Sequence, residues 1–90
     1  MLNVTEGAKQ VLKEALVANT SDPGAGLRLV ANEPGLFTLV LDQEKKGDQV
    51  VEHEGSKVLL VDRELSRELG AETLDRQDGP EGTRLVMSKK

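Results

Sequence analysis

The sequence predicts an α+β domain, mostly β, and three observations lead there. An amphipathic helix pattern opens the chain. After it, leucine- and valine-rich runs are separated by clusters of Gly, Pro, Asn and Asp, which favour turns. A second helical pattern comes late and is short. The resulting order of helix, strands, short helix and strands argues against alternating βαβ units. At 90 residues the chain fits one domain, spanning 1–90.

The first helix is expected from Thr5, a good N-cap, with Glu6 at the positive end of the helix dipole. Ala8, Val11, Leu12, Ala15 and Leu16 recur at three- and four-residue steps and form one apolar stripe. Lys9, Gln10, Lys13 and Glu14 fall on the wet face. The stretch "ANTSDPGAG" ends the helix, and its Gly24-Ala25-Gly26 reads as a hinge into the sheet.

Strands are expected next. "GLRLVA" places Leu27 and Leu29 on one face and Arg28 on the other. "LFTLVLD", residues 36–42, is apolar at nearly every position and reads as covered on both faces. The Asn32-Glu33-Pro34-Gly35 turn joins the two, and "QEKKGD" reads as a solvated connection. "QVVEH" and "SKVLLVD" form a hairpin around Glu54-Gly55. Asp62 then caps "RELSREL", where Leu65 and Leu69 share a face and Gly70 suits a left-handed residue past the helix end. "ETLDRQ" and "TRLVMS" read as strands around the "DGPEG" turn, with Lys89-Lys90 as a frayed tail. An exposed strand edge is expected near Met87, blunted by those lysines.

Composition excludes several function classes. The net charge is −4, with no Trp or Tyr and a single Phe, Phe37. Nucleic-acid binding needs clustered Lys and Arg or stacking aromatics, and neither is present. There is no cysteine. That removes disulfides, thiolate nucleophiles and thiolate metal sites. No apolar run is long enough to span a bilayer, and "MLNVTEGAK" turns polar too early for a signal peptide, so a cytoplasmic location is expected. The glycosylation patterns at Asn3 and Asn19 carry no meaning in that setting.

Candidate sites are few. Glu52-His53-Glu54 resembles a metal or general-base triplet, but successive strand residues point to opposite faces, and a solvated hairpin end is the expectation. Asp75, Asp78, Gly79 and Glu81 lack the ligand spacing of an EF-hand loop and read as a turn. Gly24-Ala25-Gly26 precedes a strand rather than a helix, so it is no phosphate cradle. His53 is the only imidazole, and no Gly-x-Ser-x-Gly elbow is present. No enzymatic constellation emerges.

The order and wording of these segments resemble the HesB-like family, the A-type carriers of iron–sulfur cluster biogenesis. "LNVTEGAKQVLKEAL" is similar to the family's opening helix, and "GLRLVA" and "LFTLVLD" to its first two core strands. "GDQVVEHEGSKVLLVDRELSREL" carries the most specific likeness, a Gly-Asp, a hairpin with Gly, a Val-Asp and a short leucine-containing helix. "GAETLDRQDGPEGTRLVM" resembles the following strand and final hairpin. The resemblance implies a HesB-like domain with a compact pseudo-barrel or two-sheet β core, homodimerisation, and docking onto iron–sulfur assembly proteins.

It also implies three cysteine ligands, and this chain departs there. Aligning Phe37 with the family's aromatic puts Pro34 at the first cysteine, so Glu33, Pro34, Gly35 and Leu36 form a degenerate ligand loop. The family's C-terminal Cys-Gly-Cys pair has no counterpart in "VMSKK". Clusters need soft thiolates, with imidazole an occasional substitute. The expectation is a member lacking all its cysteine ligands: a non-catalytic binding or scaffold protein with no cofactor and no metal site. The alternative is a binder of a hard metal or small ligand through carboxylates and His53.

Overall fold

The computed structural model describes residues 1–33 and 36–89. The elements run β1 (Asn3–Val4), α1 (Glu6–Asn19), β2 (Ala25–Glu33), β3 (Leu36–Gln43), β4 (Gln49–His53), β5 (Ser56–Val61), α2 (Arg63–Glu68), β6 (Glu72–Gly79) and β7 (Gly82–Lys89). They form a four-stranded sheet ordered β3-β2-β5-β4 and a three-stranded sheet ordered β1-β6-β7. This is the two-sheet, mostly-β α+β architecture expected.

Helix α1 forms because Thr5 caps it. The Thr5 hydroxyl oxygen accepts from the Ala8 N–H at 3.2 Å and donates to Asp75 Oδ1 at 2.8 Å. One side chain thus satisfies an orphan helix donor and ties the helix start to β6. Ala8, Leu12 and Leu16 are buried at four-residue spacing. Val11, expected in the same stripe, is only half-buried at its flank. The buried face of α1 shares one core with Leu27 and Leu29 of β2, Val58, Leu59 and Val61 of β5, and Leu74 of β6. One helix therefore closes both sheets. No helix among the described residues is long and apolar enough to cross a membrane.

The sheet order corrects the reading of β3. Its apolar run is not covered on both faces, and β3 is the edge strand of its sheet. Phe37 and Leu39 pack on the core, whereas Val40 and Leu41 are 46% and 45% exposed. Two-sided burial falls instead on the first half of β2, where Ala25 to Leu29 are all buried between β3 and β5. Gly26 is a residue of that strand rather than a hinge before it. A Cβ there would lie 2.8 Å from the Lys57 carbonyl oxygen and 3.1 Å from Leu60 Cγ, so its missing side chain is what admits β5.

The β4–β5 hairpin turns as expected at Glu54 and Gly55, both left-handed with φ of 51° and 80°. That pair suits the twist of antiparallel strands. Two expectations around α2 are corrected. Asp62 occupies the N-cap position, but its side chain makes no capping hydrogen bond. Gly70 is not left-handed; among the described residues the glycines with positive φ are Gly47, Gly55 and Gly82. The chain turns instead through Leu69 at φ −95°, whose N–H still reaches the Leu65 carbonyl.

Strand β1 has no forecast in the sequence. It pairs in parallel with β6, Asn3 opposite Thr73 and Val4 opposite Leu74. The Gln49 side chain holds the preceding residue: it accepts from the Leu2 N–H at 2.9 Å and donates to the Leu2 carbonyl at 2.8 Å, while Ser66 donates to the same Gln49 oxygen at 2.6 Å. At the other end, β7 is the edge strand expected near Met87. Lys89 is not frayed, since it pairs with Glu72; Lys90 lies outside the described residues.

Candidate functional site

The end of the β2–β3 hairpin is where the sequence reading places the degenerate loop. Glu33 closes β2 and Leu36 opens β3, and the two face each other across the ladder. The register slips between Ala31 and Glu33, so the strand is irregular just before the turn. Glu33 is exposed. Pro34 and Gly35 lie outside the described residues.

His53 is not brought to that loop. Arg28 pairs with Leu60 and Leu29 with Val61 in parallel, so Ser56 stands level with Gly24, nine residues before Glu33. His53 is opposite Ser56 at the hairpin tip. The tip that carries His53 therefore stands at the other end of the four-stranded sheet from the β2–β3 turn. His53 is 19% exposed and faces α1, with Nδ1 3.7 Å from Glu6 Oε2 and Nε2 3.9 Å from Glu54 Oε1. Glu52 points elsewhere and is exposed, so the triplet does not converge.

Of the Asp75–Glu81 segment, expected to be a turn, only Pro80 and Glu81 turn; Asp75, Asp78 and Gly79 belong to β6 and pair with β7. Asp75 is engaged by Thr5, and Asp78 accepts from Thr83 at 2.7 Å and from Arg76 at 3.0 Å. Those hydrogen bonds, from Thr5 foremost for Asp75 and from Thr83 foremost for Asp78, hold both carboxyls below the usual aspartate range. Glu81 sits exposed in the loop between Gly79 and Gly82. Among the described residues no three His, Asp or Glu side chains are arranged to hold a metal ion.

Sequence reasoning missed one polar cluster. Arg28, expected on the face opposite Leu27 and Leu29, is 8% exposed. Its Nε donates to Asp42 Oδ2 at 2.6 Å, and Nη1 and Nη2 donate to the two Asp48 oxygens at 3.1 and 2.7 Å. A further bond reaches the Gln43 carbonyl at 3.1 Å. Asp48 is therefore not part of a solvated connection: its side chain is 2% exposed, and it also accepts from the Lys45 N–H at 2.7 Å. The guanidinium holds the Asp48 carboxyl below its ordinary range. For Asp42 the Gln43 N–H contributes most and Arg28 next. In return the two carboxylates raise the Arg28 pKa further, with Asp48 foremost. A signal was present: a lone arginine inside an otherwise apolar strand needs buried acids, and Asp42 and Asp48 are near in sequence. The bidentate fork ties β2, the end of β3 and the turn before β4 together. With every strong acceptor engaged, the cluster is a clamp and offers no open position to a ligand.

Comparison with known proteins agrees on the fold. No protein-family model matches the sequence, and no curated protein sequence matches it significantly. Among solved structures, Escherichia coli SufA, described as involved in biosynthesis of iron–sulfur clusters, superposes with a TM-score of 0.68 at 24% identity. The match covers 98% of this chain and 84% of that one. IscA with its [2Fe-2S] cluster superposes with a TM-score of 0.61 at 19% identity, over 99% of this chain and 85% of that one. Two mixed sheets closed by one long and one short helix, in a sequence without cysteine, are thus the HesB-like fold of SufA and IscA.

Proposed function

We propose that this chain is a non-catalytic binding or scaffold protein that keeps the fold of iron–sulfur cluster carriers without carrying a cluster. One observation supports this reading above the rest. The loop Glu33, Pro34, Gly35 and Leu36 stands where the resemblance puts a ligand cysteine, and the sequence has no cysteine anywhere to replace it. Iron–sulfur clusters are held by thiolates, with histidine as a substitute in some. The single histidine stands at the opposite end of the sheet. The donor set therefore does not fit a cluster, and the remaining role is recognition of protein partners, with the iron–sulfur assembly machinery the first class to examine and a homodimer as one form.

Anaerobic reconstitution with ferrous iron and sulfide tests the reading. The expected result is no stoichiometric visible chromophore after desalting. A stoichiometric chromophore with bound iron and sulfide overturns it.

The competing reading, a binder of hard metals through carboxylates, rests on His53 between Glu6 and Glu54. It requires a rise in melting temperature with the metal, because a ligand that binds only the folded state adds stability. Titration with calcium, magnesium, zinc and ferrous iron separates the two readings, and no shift with any of them dismisses the competitor.

A further inference from the structure

The second half of β2 runs beside α2 and leaves a groove between them. Its floor is apolar, made by Ala31, Phe37 and Leu65. Its rim is acidic: Asp62, Glu64 and Glu68 stand on the α2 side and Glu33 at the hairpin end. All four are exposed, and none has a cation partner among the described residues. Two bases line the groove: Arg28, whose guanidinium is taken up by Asp42 and Asp48, and Lys45, whose ammonium is 3.6 Å from Asp42.

The short helix separates its charges by side. Arg63 and Arg67 line a different depression, beside Met1 and Gly47, while Glu64 and Glu68 face the groove. Glu64 and Glu68 are spaced i, i+4, a like-charge arrangement that disfavours the free helix. No ion pair within 4 Å meets either carboxylate among the described residues.

The floor also has an open backbone edge. β2 pairs with β5 at Arg28 and Leu29, and β5 ends at Val61. From Val30 to Glu33 the strand has a ladder on the β3 side only. No backbone hydrogen bond joins this stretch to α2 among the described residues. An unpaired strand edge is a template for an added strand.

We propose that this groove docks an extended segment of a partner protein, in which lysine or arginine side chains alternate with apolar ones. The segment adds to the free edge of β2, its apolar side chains settle on Ala31, Phe37 and Leu65, and its bases meet Glu33, Glu64 and Glu68. The proposal deepens the partner-binding reading above and rests on it.

The test uses the isotope-labelled full chain and a capped seven-residue peptide alternating lysine and valine, at about physiological ionic strength, where distant surface charges are screened. The expected result is amide shifts concentrated on Val30–Glu33 and α2. E64Q combined with E68Q is expected to weaken binding about tenfold, and R63Q combined with R67Q, on the other side of α2, to change it less than about twofold. The glutamine pair removes a like-charge repulsion, so folding is not at risk. Shifts spread over all acidic surfaces, equal effects of the two double variants, or equal binding of a glutamate–valine peptide overturn the proposal. So do no binding at all, and protection of the groove by self-association. Each of these leaves the absence of a cluster, tested by reconstitution, standing.

Discussion

Asp48 Oδ2 lies 2.7 Å from Arg28 Nη2, with both side chains withdrawn from solvent, although one residue is in a turn and the other in mid-strand. Removing one partner of a buried pair strands the other charge, at a cost of about 3–5 kcal/mol. D48A is expected to fall in that range by urea denaturation. D42A, whose carboxylate is 31% exposed, is expected to cost clearly less than D48A. Equal effects, or a D48A cost below about 1 kcal/mol, contradict the clamp.

Acid should reveal the same cluster. Asp42, Asp48, Asp75 and Asp78 are all held below the ordinary aspartate pKa. A depressed carboxyl adds stability that is full above its unfolded pKa, near 3.9 for aspartate, and is lost as pH falls through the folded value. Stability is expected to be insensitive to these groups from neutral pH down to about 5 and to drop below about 4. D48N, compared with the parent by thermal melting from pH 7 to 2.5, is expected to flatten that fall.

Thr5 joins the start of α1 to β6 through one hydroxyl. T5A is expected to cost about 1–2 kcal/mol, in the range of lost N-caps. T5S keeps the oxygen and is expected to restore most of it. Hydrogen exchange at the Ala8 amide provides a local readout, because that N–H loses its acceptor only in T5A.

Gly26 is required by the distance between strands. G26A places a methyl 2.8 Å from a backbone oxygen, which cannot swing away as a side-chain tip can. A cost of about 1–3 kcal/mol is expected, as for other overpacked sites. A neutral result by denaturant titration would mean that β5 stands further from β2 than described.

The exposure of Val40 on β3 has its own test. V40T, at a site 46% exposed, is expected to change stability by less than about 0.5 kcal/mol. L59A, at a fully buried site, is expected to cost about 2–5 kcal/mol. A large V40T effect would place Val40 under cover.

The candidate site was legible only in its chemistry. A sequence without cysteine excludes thiolate ligation by its own side chains. That Glu52 and His53 part follows from strand alternation, whereas Glu54, in the turn, comes within 3.9 Å of His53, which alternation does not foretell. The groove between β2 and α2 was not legible. Its members come from the β2–β3 hairpin and from α2, which are distant from each other in sequence, and neither has a distinctive motif.

By itself the sequence determined what repeats locally. The spacing of Ala8, Leu12 and Leu16 yields a one-sided helix, and Glu54-Gly55 yields a tight hairpin, because each rests on neighbours a few residues apart. Only the tertiary structure decided which strand lies at an edge, whether Val40 faces water and whether Arg28 faces two carboxylates. It also decided that Asn3–Val4 is a strand at all, since a two-residue segment carries no periodicity and its partner is about seventy residues away. Burial depends on what packs above a residue, and that is set by long-range pairing rather than by the residue's own neighbours.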